Sequence, residues 1–174
     1  MVRENPAAGE LAAQFDELTA ALEKYFRLSG FDEASAADLT AEVFQRSLLA
    51  KNAYDPRRAS LKTWLFAIAR NLAINVWKSR PAPEPVTETL PDRSPLPEEN
   101  LLREERQQEL IGAVQTLEKR DREVLALKFA GGMSNREIGQ LLGLRPNHVG
   151  VLLYRALHQL KEKLAEREGE SDAV

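Results

Sequence analysis

The stretch Ser134-Asn-Arg-Glu-Ile-Gly-Gln-Leu-Leu-Gly-Leu-Arg-Pro-Asn-His-Val-Gly-Val-Leu-Leu-Tyr-Arg-Ala-Leu-His-Gln-Leu160 reads as two helices and the turn between them. Ser134 stands three residues before Glu137. That is the spacing of a capping box, in which the serine oxygen accepts an amide hydrogen and the glutamate reaches back to the cap amide. Ile138, Leu141 and Leu142 then make an apolar face that stops at Gly143. Pro146 follows after two residues, suited to a first helical position because the amide hydrogen it lacks would be unpaired there anyway. The helix it opens carries Val149, Leu152, Leu153, Ala156, Leu160 and Leu164 on one side. A short capped helix, a glycine turn and a longer helix describe a helix-turn-helix, with a plain packed pair of helices as the bland alternative. Gly139 falls where the helices should cross and only a very small side chain fits, at about 1 kcal/mol of helix propensity relative to Ala.

A helix-turn-helix reads DNA with side chains at the start of its second helix. The outward candidates are Arg145, Asn147, His148, Gly150, Val151, Tyr154 and Arg155, with Arg136 on the first helix. Arg145 suits a phosphate or guanine, Asn147 an adenine edge and Val151 a thymine methyl. Only two of the candidates on the second helix are cationic, so the expected binding by this block alone is weak and steeply salt-dependent. Towards the N-terminus, helices are expected over Leu101–Leu117 and Arg120–Ala130, the latter ended by Gly131-Gly132.

Proline marks the next boundary. Six of the nine prolines fall between 81 and 97, among Glu84, Glu88, Asp92, Glu98 and Glu99. Proline removes a backbone donor and disfavours helix in the residue before it, so this acidic segment should be extended and without a core. It separates the helical pattern just described from a second one. There Leu11, Phe15, Leu18, Leu22, Tyr25 and Phe26 predict one amphipathic helix ending near Gly30. A further helix opens near Ser35 and runs through Leu39, Val43, Phe44, Leu48 and Leu49. Asn52–Ala59 is a loop, and a third helix from Ser60 carries Leu61, Trp64, Leu65, Ile68, Leu72, Ile74 and Trp77. The expected fold is all-α, two small helical domains joined by an acidic linker, with bounds 8–80, 81–104 and 105–168.

Composition removes most chemistry. The 174 residues are 43% hydrophobic and 29% charged, ordinary for a folded soluble chain. With no cysteine, disulfide scaffolds, thiolate metal sites and cysteine nucleophiles are excluded. The two histidines, His148 and His158, lie about 15 Å apart on one helix, too far to share a metal. Asp38 and Glu42 lie one turn apart, a pair better suited to solvent or a partner than to a cation. No Gly-rich phosphate loop or nucleophile–base set occurs, so neither an enzyme nor a cofactor is expected. No apolar run reaches membrane length and no apolar signal core opens the chain, which predicts a cytoplasmic protein without membrane insertion.

Net charge is −3, but the charges are segregated. Lys51, Arg57, Arg58, Lys62, Arg70, Lys78 and Arg80 face only Asp55 within residues 51–80, a local excess that can hold phosphate or form a solvated face. Aromatics interleave with these cations along Leu61–Arg80. That mixture suits single-stranded nucleic acid, although Trp64, Leu65 and Ile68 at helical spacing fit a core better.

Asp38-Leu-Thr-Ala-Glu-Val-Phe44 and Thr63-Trp-Leu-Phe-Ala-Ile-Ala-Arg-Asn71 resemble the second conserved region of extracytoplasmic-function (ECF) sigma factors. Arg122-Glu-Val-Leu-Ala-Leu-Lys128, Gly132-Met-Ser-Asn-Arg-Glu-Ile-Gly139 and Leu142-Gly-Leu144 resemble their fourth region, and the order, spacing and linker match over residues 11–165. The resemblance implies a dissociable initiation subunit of bacterial RNA polymerase under the control of an anti-sigma factor. The helix with Asp38, Leu39, Glu42, Val43 and Phe44 would bind the β′ clamp of the core enzyme. Arg57, Arg58, Ser60, Lys62, Arg70, Asn71, Asn75, Lys78 and Arg80 would meet the melted −10 element of promoter DNA. Arg136, Arg145, Asn147, His148, Val151, Tyr154 and Arg155 would read the −35 element, and the acidic linker would lie in the RNA exit path.

The chain departs from the family pattern at Ala41, where glutamine is usual, and at Asn75, Trp77 and Lys78, where an acidic residue and paired arginines are common. His148-Val-Gly-Val-Leu152 replaces a threonine-valine-lysine-serine-arginine run. Each lost phosphate contact lowers the salt slope by about one unit. The alternative reading is a sigma-like or helix-turn-helix regulator that binds polymerase or an anti-sigma factor without normal −35 recognition.

Overall fold

The computed structural model describes residues 6–50, 53–79 and 98–171, and among these there is no strand. Eight helices follow in order: α1 (Pro6–Ala13), α2 (Phe15–Leu28), α3 (Glu33–Leu49), α4 (Leu61–Ser79), α5 (Glu98–Gln115), α6 (Lys119–Phe129), α7 (Asn135–Leu142) and α8 (Pro146–Ser171). The segment 81–97 and Arg80, which carried sequence expectations, lie outside the described residues.

The expected first helix is two. Gln14 leaves helical geometry at φ −110° and ψ 11°, while Gln14 N–H still donates to Glu10 O (3.2 Å) and Leu18 N–H to Gln14 O (2.9 Å). One residue's rotation therefore re-aims α1 so that Leu11 is buried while Phe15 remains half exposed. Apolar spacing registers only the average period, so such a break leaves no trace in it. The second helix starts two residues before the expected Ser35, because the Asp32 carboxylate accepts from Ser35 N–H at 2.7 Å and caps α3.

Helices α2, α3 and α4 pack around Leu18, Leu22, Phe26, Val43, Leu65 and Leu72, all almost fully buried. An aromatic chain runs through this core: Tyr25 meets Phe66 edge-on at 5.4 Å, Phe26 meets Phe31 at 5.8 Å, and Phe31 lies 5.4 Å from Trp77. Edge contacts of this kind add about 0.5–1.5 kcal/mol beyond their buried area. Trp64, expected in the core from its spacing, is only partly buried, against Tyr54 at 5.2 Å. Leu48 and Leu49 are corrections. They continue the apolar run of α3 but stand 52% and 80% exposed, because neighbouring residues on a helix point about 100° apart and the core lies on one side only.

Helices α6, α7 and α8 surround Val124, Leu127, Ile138, Val149 and Ala156, with Val114 from α5 and Leu117 from the turn after it. Phe129, at the end of α6, is half exposed beside the glycine pair that follows the helix. The two blocks touch, α2 lying against α5 and α6.

Leu22 sits at the centre of the first block with no exposure. Leu22→Ala is expected to lower stability by about 2–5 kcal/mol, read as a fall in urea midpoint at unchanged slope.

Candidate nucleic-acid interface

The helix-turn-helix is set by a capping box at the start of α7 and by two glycines at the turn into α8. Ser134 accepts from Glu137 N–H at 3.2 Å, and the Glu137 carboxylate accepts from Ser134 N–H at 2.8 Å, closing the capping box. Gly143 ends α7 in the left-handed region at φ 69°. Leu144 N–H then donates to Gly139 O at 2.8 Å. A Cβ on Gly139 would lie 2.5 Å from Leu144 O, so the crowding comes from the turn's own carbonyl, with Pro146 N next at 3.6 Å. The small residue expected at the crossing is thus required by the backbone that leads into α8.

This turn presents the edge of α8. Arg145, Asn147, His148, Val151 and Tyr154 are exposed along it, and Arg136 and Gln140 are exposed on α7. Asn135 accepts from Lys128 Nζ at 3.2 Å, which ties α7 back to α6. Arg155 is differently placed. Its Nε and Nη2 donate to the two carboxylate oxygens of Asp121 at 2.8 and 2.6 Å. Asp121 is fully buried in the first turn of α6, where the helix N-terminus also favours its charge. Those hydrogen bonds, and then the charge, hold the Arg155 guanidinium even above its ordinary range. Among the described residues, Arg136 and Arg145 are the expected −35 cations that form no ion pair.

The second edge belongs to α4 and the loop before it. Arg57 projects 93% exposed, with a 3.7 Å contact to Asp55, and Arg58 is exposed beside it. Ser60 caps α4, accepting from Thr63 N–H at 3.1 Å. Asn71, Asn75 and Lys78 recur at spacings of four and three and are all exposed, one face of the helix. Lys62 is paired with Glu17 at 3.3 Å, and Arg70 with Glu123 of α6 at 2.6 Å. Burial, and then the Glu123 carboxylate, push the nearby Tyr25 phenol up.

On α3, Asp38 is exposed and Glu42 partly so, the latter accepting from Arg46 Nε at 2.9 Å. Leu39, Val43 and Phe44 face the core, Phe44 stacked 4.7 Å from Phe15. The exposed surface of this helix includes Asp38, Ala41, Gln45, Arg46, Leu48 and Leu49, with Glu42 partly exposed among them and Phe15 alongside. Phe15, Leu48 and Leu49 were missed as surface residues.

Among the described residues, no three His, Asp or Glu side chains converge as a metal site, and no helix is long and apolar enough to cross a membrane. The arrangement offers two polar, part-basic edges for a nucleic-acid chain and one mixed acidic and apolar helix face.

Comparison with known proteins agrees with both blocks. The family model for sigma-70 region 2 matches residues 17–81, and that for sigma-70 region 4 matches residues 107–160. The chain is 31% identical over 146 residues to the ECF RNA polymerase sigma factor BldN of Streptomyces coelicolor, covering 82% of this chain and 54% of that one. It thus spans about half the length of that relative. To the ECF RNA polymerase sigma factor RpoE of Cereibacter sphaeroides it is 30% identical over 136 residues, 76% of this chain and 72% of the relative. In fold it is similar to the sigma factor RpoE of Bartonella quintana, solved with the anti-sigma factor NepR, at a TM-score of 0.68 and 20% identity, covering 88% and 95% of the two chains.

Two outcomes follow from the turn. Gly139→Ala is expected to cost about 1–3 kcal/mol, because the Leu144 carbonyl cannot retreat without moving the start of α8; thermal melting of the full chain measures it. The Ser134 amide, then its hydroxyl, hold the Glu137 carboxyl below the usual carboxylate range, with Thr63 adding to this. Its folded value being the lower one, the capping box stabilises above the unfolded value of about 4.3 and is lost as pH falls through the folded value. Glu137→Gln should therefore be less stable than the parent at neutral pH and converge with it as pH falls through the folded value, as read by urea unfolding.

Proposed function

The chain belongs to the ECF family of RNA polymerase sigma factors, and from that premise we propose that it recruits core polymerase to promoters and contacts them at two separated elements. The carrying observation is the pairing, in one chain, of a capped helix-turn-helix with an exposed reading edge and a second helix whose exposed face bears Asn71, Asn75 and Lys78.

In this reading α3 docks on the β′ clamp through Asp38 and Glu42. Leu39, Val43 and Phe44 serve the docking from beneath by packing α3 onto α2 and α4, and Leu48 and Leu49 add apolar area at its end. The loop cations Arg57 and Arg58, the cap Ser60, and Lys62, Arg70, Asn71, Asn75, Lys78 and Arg80 meet the opened −10 strand. Polar side chains that accept and donate suit unstacked bases, while cations follow the phosphates. Arg136, Arg145, Asn147, His148, Val151 and Tyr154 contact the −35 duplex, and Arg155 holds α8 against α6 through Asp121. The linker 81–104 lies along the path of the emerging transcript. Bartonella quintana RpoE was solved with an anti-sigma factor, and we extend that class of control to this chain.

A second reading is favoured by the sparse charge on the α8 edge, where Arg136 and Arg145 carry the phosphate contacts. In it the protein binds polymerase or an anti-sigma factor and the −35 block reads no sequence. The salt slope separates the readings in part, since each phosphate neutralised contributes about 0.9 units.

The test is reconstitution of the full chain with core polymerase from its own host, on promoters found by mapping transcripts after overexpression. Specific initiation is expected, together with a roughly tenfold or greater loss of core binding in Asp38→Arg at unchanged helical content. Absence of both core binding and initiation overturns the proposal. Initiation that is indifferent to scrambling the −35 sequence selects the second reading.

A further inference from the structure

Gly150 stands near the start of α8, at the position where the family's run has its lysine. Glycine is the poorest helix former after proline, because it loses the most backbone freedom on folding. Elsewhere in the helix-turn-helix its use is forced. A Cβ on Gly139 would meet the Leu144 carbonyl at 2.5 Å, and Gly143 holds a φ of 69°. Gly150 is under neither constraint. Its φ is not positive, and a Cβ there would meet only Asn135 Nδ2, at an ordinary contact distance of 3.6 Å. An alanine fits the fold at this place, so packing gives no reason for the glycine.

The gap at Gly150 opens onto an oriented donor. Asn135, the first residue of α7, accepts at Oδ1 from Lys128 Nζ of α6 at 3.2 Å. An ammonium donates and cannot accept, so the amide oxygen must face it, and Nδ2 with its two hydrogens is turned to α8. Asn135, Gly150 and Lys128 are all half-buried, and exposed Arg136, Val151 and Tyr154 lie around them. Among the described residues Lys128 forms no ion pair. The Glu137 carboxylate feels its charge, but the two oxygens there are taken by Ser134 and Thr63.

We propose that Gly150 and Asn135 form a seat for one phosphate of the −35 duplex, with Lys128 as its cation. The duplex backbone passes over the bare Gly150, a phosphate oxygen accepts from Asn135 Nδ2, and the Lys128 ammonium stands one amide behind it. The charge missing from position 150 of α8 is thus supplied from α6, and Lys128 joins Arg136 and Arg145 as a phosphate cation of this block. The proposal rests on the reading of α8 as the −35 helix and adds to it a contact from Asn135 and Lys128. A lysine at position 150 would reach phosphate on a flexible four-carbon stem. An amide held at its oxygen is fixed in place, so this seat sets how closely the duplex approaches the turn.

Gly150→Ala separates this role from a structural one. It should melt about 2–4 °C above the parent, since helix propensity improves and the methyl group has room. It should nevertheless bind a short mixed-sequence duplex about three- to tenfold more weakly at low salt, because the methyl group covers Asn135 Nδ2. Phosphate contacts carry no sequence information, so that duplex serves with the full chain alone. Asn135→Asp keeps the contact to Lys128 but turns an acceptor and a negative charge to the duplex. It should weaken binding and flatten the dependence of log K on log salt by about 0.9 units, and Lys128→Gln should flatten it likewise. Arg103→Gln on α5, which removes one positive charge elsewhere, should leave that slope unchanged. Three results overturn the seat: Gly150→Ala melting below the parent or binding as tightly, Asn135→Asp or Lys128→Gln with the slope of Arg103→Gln, or a parent that binds no duplex at low salt. If duplex binding behaves as expected while the parent fails to initiate with core polymerase, the sigma reading fails and the seat stands as a DNA contact.

Discussion

The ring of Phe66 is enclosed because Tyr25 meets it edge-on from α2 and the turn after α6 settles on its other side, where Gly131 contributes no side chain. A Cβ on Gly131 would also lie 2.6 Å from Leu127 O, so the turn has no room to accept a larger residue and still approach the ring. That approach, together with the packing of α2 against α6, brings Glu123 to Arg70. The accessibility of the basic helix therefore depends on a contact made by an aromatic residue and a glycine that are distant in sequence and carry no charge.

Electrostatics then divides the cations by what surrounds them. Arg57, Arg58 and Lys78 remain exposed, Arg70 and Arg155 are tied to carboxylates, and Lys62 is shared with Glu17. The Arg155–Asp121 pair is of a different kind from the rest. A fully buried carboxylate left without its two donors is costly, so this arginine is bound into the scaffold that sets the direction of α8. A count of basic residues on the reading edge overstates what remains for phosphate.

The helix-turn-helix was legible because its determinants are local. Ser134, Glu137, Gly143 and Pro146 each act on backbone within four residues, so their spacing alone predicts cap, stop and restart, and the structure has all of them. The helical class and the two blocks were legible from apolar period for the same reason. The break at Gln14 was not, since the flanking hydrogen bonds continue and the average spacing survives. Leu48 and Leu49 continue the apolar period of α3, and their exposure follows from where neighbouring helices lie.

By itself the sequence determined the helical class, the caps of the helix-turn-helix, the side chains chemically suited to nucleic acid and the family motifs, because these depend on chain-local geometry and on chemistry each residue carries alone. Tertiary structure alone decided which of those residues are free. Arg70 finds Glu123 across 53 positions and Arg155 finds Asp121 across 34. Pairings at such separations are set by how helices pack, and packing is a property of the whole assembled core that no local pattern encodes.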